Sequence, residues 1–228
     1  GQTNVPPGLT NVVAIDAGGA TVLALRADGS VVSWGWGAAT PPASLSNVVY
    51  VSASDERSLA IVRAHALTVE SAHGTARPTA GSQWFTQADR VDATVAAETV
   101  GATQYVCLGW TGTGSVPAHG TSNQVSFLIT NDTTLVWAPW QTNYWLDLSV
   151  RGCGALSTTS AWRQAGSLAV LTASNVPGCA FGGWSGDLDG CASNGLSLTV
   201  PMDRPRTLQA HFEGTLIGAG PGHLEFYP

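Results

Sequence analysis

Lysine is absent from this 228-residue chain; its nine basic residues are all arginine. That excludes Schiff-base chemistry, a lysine-based nucleotide loop and a Lys–Asn isopeptide crosslink. Charge of either sign is scarce. Only 11% of residues are charged, about half the usual globular share. The formal net charge is −6, and no basic run occurs, so neither nucleic acid nor an anionic membrane surface is an expected partner. No run reaches the roughly 18 apolar residues a membrane-spanning helix needs, so no membrane span is expected. Cys-x-x-Cys and His-Glu-x-x-His spacings are missing, as are a Gly-x-Ser-x-Gly elbow and a phosphate loop. The five histidines are scattered at 65, 73, 119, 211 and 223. No catalytic, cofactor-binding or metal-ligating residue is therefore assigned, no cofactor is expected, and the chain is read as not an enzyme. Helical periodicity is also lacking: each candidate window is broken by Gly, Pro or β-branched residues.

What the chain has in quantity is apolar residues (44%), glycine (27) and tryptophan (9). That is enough to build the cores of two or three small domains. Low charge and scattered cysteines at 107, 153, 179 and 191 suggest an extracellular or cell-surface protein with one or two disulfides. The start at Gly1 rather than Met leads to the expectation of a piece of a longer product.

Two internal repeats organise the sequence. Cys179-Ala-Phe-Gly-Gly-Trp-Ser-Gly-Asp187 has an earlier counterpart in Tyr105-Val-Cys-Leu-Gly-Trp-Thr-Gly-Thr113. Trp110 and Trp184 are 184 − 110 = 74 residues apart; Asp132 and Asp203 follow at an offset of 203 − 132 = 71, and Trp140 and Phe212 at 212 − 140 = 72. Near-constant offsets over several landmarks mark a tandem duplication. A shorter repeat fills the start, where Thr10-Asn-Val-Val-Ala-Ile15 returns as Ser46-Asn-Val-Val-Tyr-Val51, a period of 46 − 10 = 36 residues. The first unit is complete, with a hairpin turn at Asp28-Gly29. The second lacks that turn and has Ser54-Asp55-Glu56-Arg57 where the first has a Gly-Gly pair.

Alternating apolar residues, as at Leu67/Val69, Val91/Ala93/Val95 and Val136/Ala138/Trp140, predict half-buried strands. The expected fold is all-β. Small β-grasp-like or β-sandwich-like modules stand in tandem behind an incomplete propeller-like repeat region. The boundaries read as 1–62 for that region, 66–140 for the first module, 144–212 for the second and 213–228 for a Gly/Pro-rich tail, with Gln141-Thr-Asn143 as a linker.

Gly1-Gln-Thr-Asn-Val-Pro, Asn11-Val-Val-Ala-Ile-Asp-Ala-Gly-Gly19 and Leu23-Ala-Leu-Arg-Ala-Asp-Gly-Ser-Val-Val-Ser-Trp-Gly35 resemble the bacterial regulator-of-chromosome-condensation repeats. That resemblance implies propeller blades. Gly166-Ser-Leu-Ala-Val-Leu-Thr-Ala173, Gly178–Asp187 and Leu198-Thr-Val-Pro-Met-Asp-Arg-Pro-Arg-Thr-Leu-Gln-Ala-His-Phe212 resemble a divergent internalin-type B repeat, with 66–140 as a weaker copy. This second resemblance implies a small β-rich module of bacterial surface and secreted proteins, used as stalk, spacer or adhesive surface and carrying no catalytic residues.

Three groups are candidate sites. Trp110 and Trp184 are candidate sugar-stacking aromatics, weighed against a role as repeated core anchors, with Trp184 expected to be mostly buried beneath residues 185–195. Asp187-Leu-Asp-Gly190 carries alternate carboxylates but too few oxygen ligands for a calcium loop, so it reads as a turn. If the five strands of the second module run alternately up and down, Cys153 and Cys191 come together as the disulfide, with Cys179–Cys191 as the alternative and Cys107 as a buried thiol. The function expected is that of a non-catalytic spacer, adhesin stalk or subunit of an extracellular filament. The alternative is a carbohydrate-binding module set of a secreted enzyme, with surface glycans as partners. Residues such as Val12, Ile15, Leu23, Leu59 and Ile61 form apolar strands with no complete ring to bury them. Either residues 1–62 are the end of a longer propeller that has been cut away, or neighbouring copies of the chain supply the missing partner; the second is favoured, head-to-tail, since the Leu224-Glu-Phe-Tyr227 cluster lies at the opposite end.

Overall fold

The computed structural model describes residues 1–214 except Glu56. Among these the chain is mainly β, with no helix and no closed ring of blades. It divides into two compact units. The first holds Gly1–Ser71, Ala76–Thr94 and Trp110–Trp137; the second holds Ala72–Thr75, Val95–Gly109 and the described residues from Ala138 on. The tail from residue 215, with its Leu224–Tyr227 cluster, lies outside the described residues.

The first unit begins with the 36-residue repeat. Val12–Gly18, Thr21–Arg26 and Val31–Gly35 form a three-stranded antiparallel sheet, and Val48–Ala53 with Ser58–Val62 a hairpin. The repeat extends to backbone detail. Asn11 (φ 57°) and Asn47 (φ 55°) both adopt the left-handed conformation, which Asn tolerates better than most residues. Each is followed by a register shift, at Val12/Ala14 and at Val48/Tyr50. Each carbonyl accepts from the residue that closes its hairpin, Ala27 N to Asn11 O at 2.8 Å and Arg63 N to Asn47 O at 2.9 Å. Leu23 and Leu25 pack on Val48 and Val51 in one small core. Residues 67–71, which would match Val31–Gly35 at this period, enter a different sheet, so the second repeat has no third strand.

That different sheet belongs to the first module. Its order is His119–Gly120, Trp110–Thr113, Thr133–Trp137, Ala64–Ser71, Gly81–Thr86. Thr133–Trp137 runs parallel to Ala64–Ser71 and antiparallel to Trp110–Thr113. Gln124–Leu128, Arg90–Val95 and Ala76–Arg77 form a second, smaller sheet. The alternation seen in the sequence is realised: along Arg90–Val95 every second residue is buried.

In the second unit Trp140–Arg151 pairs in parallel with Arg206–Gly214, which pairs antiparallel with Cys179–Gly186. Ala161–Gln164 pairs with Trp140–Arg151, as does Thr103–Cys107, whose other neighbour is Glu98–Val100. Gln141–Asn143, expected to be a linker, thus lie inside a twelve-residue strand. The reason is that all three carry backbone partners, Val106, Tyr105 and Gln104. A four-stranded sheet, Ala155–Leu156, Leu168–Ser174, Ser197–Pro201 and Ala192–Asn194, supplies the facing layer. Leu146 and Leu208 of one sheet meet Ala169, Leu171, Leu198 and Val200 of the other, with Met202, in a shared core. This is a two-layer sandwich, in which each buried Leu contributes about 1.5–3 kcal/mol.

The two modules share one strand order. In each, the first and last strands are parallel neighbours, and the Gly-Trp strand lies on the far side of the last. Leu67 and Leu146 are equivalent at an offset of 146 − 67 = 79, Leu135 and Leu208 at 208 − 135 = 73, and all four are fully buried.

Candidate functional site

Trp110 opens its strand with Trp137 as Cα partner and is only 5% exposed. Gly120 lies against its indole, where any Cβ would collide with the ring. Trp110 is thus closed off as a packing residue rather than a stacking platform. Trp184 is half-buried against Phe181 (ring centroids 5.4 Å apart, edge to face) and touches both cores of its module. It is less covered than expected, and its indole N–H is buried without an acceptor. The indoles that do face solvent are Trp36 (83% exposed) and Trp84 (74%). Neither belongs to the 74-residue pattern, so the repeat gave no signal for them.

The disulfide is Cys153–Cys179, with Cα atoms 6.0 Å apart, and not Cys153–Cys191. Alternating strands were the wrong premise. The module's first and last strands are parallel, as alternation would also have them, but the third, Cys179–Gly186, runs opposite to both. Its start falls beside the end of Trp140–Arg151. Cys191 is a free, partly exposed thiol, and burial raises its pKa. Cys107 is a buried thiol donating to the Gly109 carbonyl at 3.0 Å; burial raises its pKa too.

The loop after Trp184 is held from within. Arg206, 2% exposed, donates to the carbonyls of Asp187 (3.0 Å) and Asp189 (2.5 Å) and to the Asp203 carboxylate (2.7 Å). The Asp187 carboxylate accepts from Thr207 N at 3.3 Å, and that of Asp189 pairs with Arg204 at 3.2 Å. Cationic side chains already occupy this loop. The hydrogen bond from Arg206 holds the Asp203 carboxyl below the usual carboxylate range. Among the described residues no group of three His, Cys, Asp or Glu side chains has a geometry suited to a metal ion.

Two further polar clusters lie elsewhere. Ser185 Oγ and His211 Nε2 are 2.5 Å apart on neighbouring strands. A working nucleophile–base pair also needs a group orienting the base and donors for an oxyanion, and no carboxylate among the described residues hydrogen-bonds His211. An open groove lined by Asp92, Ser122, Gln124 and Ser126 has one charged group. The Asp92 carboxylate accepts from Ser126 Oγ (2.5 Å) and Arg90 Nε (2.9 Å), which lower its pKa in that order. That charge is committed locally.

A family model described as the divergent InlB B-repeat domain matches residues 146–215. The match covers the second module and leaves most of the chain outside it. The family is typically a repeat module of surface and secreted bacterial proteins, and typically non-enzymatic. No curated protein and no solved structure matches the chain. The comparisons lend no support to a propeller-type repeat at residues 1–62.

Proposed function

We propose that this chain is a non-catalytic structural segment of a secreted or cell-surface bacterial protein, acting as spacer or adhesin stalk. The observation that carries the reading is the B-repeat match at 146–215. The surrounding geometry agrees: the buried Arg206 fastens the loop after Trp184, and the Cys153–Cys179 crosslink ties the second module's strands. Residues 66–140 are a second, divergent module of the same type, and 1–62 is a fragment of propeller-like repeats.

Pulling single molecules of the full chain tests the reading. The second module should resist force as a discrete unit. Reduction should lengthen its extension, because the Cys153–Cys179 bond shields a sequence separation of 26 residues, about 90 Å of extended chain. Yielding without a discrete event would reject the spacer. A second reading, carbohydrate binding, draws on the exposed indoles of Trp36 and Trp84. Saturable binding on a polysaccharide array, lost in Trp36→Ala or Trp84→Ala, would favour it.

A further inference from the structure

The two N-terminal repeats meet through a contact whose halves are both present a second time. On the inner side, Leu23 (4% exposed) and Leu25 (3%) of the first repeat are covered by Val48 (4%) and Val51 (4%) of the second. Shifted by one period, the receiving pair is Leu59 (59 − 23 = 36) and Ile61 (61 − 25 = 36). The donating pair is Val12 (48 − 12 = 36) and Ile15 (51 − 15 = 36). The backbone equivalence is close, since Ile61 faces Tyr50 across its ladder as Leu25 faces Ala14. Yet Leu59 is 66% exposed, Ile61 56%, Val12 41% and Ile15 64%. Among the described residues the repeat pair thus carries an uncovered socket at one end and an uncovered plug at the other.

We propose that a second molecule of this chain fills the socket. Its Val12 and Ile15 would dock on Leu59 and Ile61, continuing the internal interface from one molecule to the next. This deepens the structural reading above and rests on it. The two faces differ, so the contact is head-to-tail and nothing in it stops growth; such contacts build open filaments.

The intermolecular contact is looser than the internal one at both ends. Internally, Gly18 leaves room for the backbone of Ala53 and Ser54, where a Cβ would collide, and Asp16 Oδ2 accepts from Ala53 N at 2.8 Å. One period on, Ser54 stands in place of Gly18 and Ser52 in place of Asp16. At the other end Gly29, where a Cβ would crowd the Asn47 backbone, is matched by His65 (29 + 36 = 65). The docked molecule opens at both ends, and the interface rests on the Leu59 and Ile61 side chains between them. Association is therefore concentration-dependent rather than obligate.

Sedimentation equilibrium of the full chain tests this with two variants, Leu59→Asp/Ile61→Asp and Val12→Asp/Ile15→Asp. All four positions are well exposed, so both should fold, which circular dichroism checks. The unaltered protein should gain mass with concentration. Each variant alone should self-associate about 100-fold more weakly, the scale for losing a central apolar cluster. Mixed in equal amounts, the variants keep one intact plug and one intact socket and should stop at a 1:1 dimer. Monomeric unaltered protein at millimolar concentration would overturn the proposal. So would association undiminished in either folded variant, or folded variants that fail to pair. A monomer would leave the spacer reading standing, because that rests on residues 146–215; failure of the pulling experiment would leave this interface untouched.

Discussion

The first and second modules share a strand order and differ in their fastenings. Thr133 and Arg206 occupy the same place, opening the last strand opposite Leu67 and Leu146 respectively. Both are buried, at 3% and 2% exposure. Thr133 works by neutral hydrogen bonds: its hydroxyl accepts from Ser115 N at 3.0 Å and donates to Asn131 O at 2.8 Å. Ser115 Oγ in turn accepts from Thr130 N and Asn131 N. Arg206 does the equivalent task with a guanidinium spanning three acceptors. The turns beside the disulfide differ likewise. Cys179 corresponds to Tyr105 (179 − 105 = 74) and Cys153 to Gly74 (153 − 74 = 79). There His73, next to Gly74, stacks on Tyr105 with ring centroids 3.7 Å apart, and its Nδ1 lies 3.1 Å from Glu98. One topology is therefore closed by a covalent bond and a charge in one copy, and by a ring stack and two hydroxyls in the other. Strand pairing and core are what the repeat preserves; the clasp is free to change.

The sharpest way to break the comparison is to remove the buried guanidinium. Arg206→Ala removes a buried side chain that donates to two carbonyls and to the exposed Asp203 carboxylate. It should cost the second module about 3–5 kcal/mol, three charge-assisted hydrogen bonds at about 1–1.5 kcal/mol each. Thr133→Ala should cost the first about 1–2 kcal/mol, a lost neutral hydrogen-bond pair. Urea titration of each variant gives both numbers, and equal losses would contradict the assigned roles. Arg204→Ala is the control: its pair with Asp189 is exposed, so the change should stay under about 1 kcal/mol.

The covalent clasp comes next. Reducing Cys153–Cys179, a separation of 26 residues, should cost about 3–4 kcal/mol on the chain-entropy model. His73→Ala should cost about 1 kcal/mol, the scale of one ring pair. Non-reducing peptide mapping checks the pairing itself, and a Cys179–Cys191 peptide would contradict it.

Acid sharpens the contrast more gently. Arg206 lowers the Asp203 carboxyl in the folded protein. Such a group contributes stability above its unfolded-state pKa, about 3.9, and the contribution is lost as pH falls through the lowered folded value. Asp203→Asn should flatten this acid limb of the second module's unfolding curve. An unchanged limb would show that the pair does not titrate with folding. The smallest effect expected is Trp84→Ala, within about 0.5 kcal/mol because the side chain faces solvent; a larger loss would mean that Trp84 is covered in solution.

The sequence by itself determined the periods, the strand positions and the all-β class. These follow from local chemistry: alternation of apolar residues, turn-forming Asn and Gly, and the absence of helical periodicity. Even the left-handed Asn11 and Asn47 sit where the 36-residue alignment puts them. Only the tertiary structure decided what each strand lies beside. Cys153 meets Cys179 because the strand Cys179–Gly186 runs opposite to Trp140–Arg151, and strand direction leaves no mark in local patterning. Leu23 is buried and Leu59 exposed although they are the same residue in the same repeat position. Burial belongs to the neighbour that arrives, and among the described residues none covers Leu59. Arg206 reads as one charge among few in the sequence, and becomes the centre of a clasp because its strand delivers it under a loop.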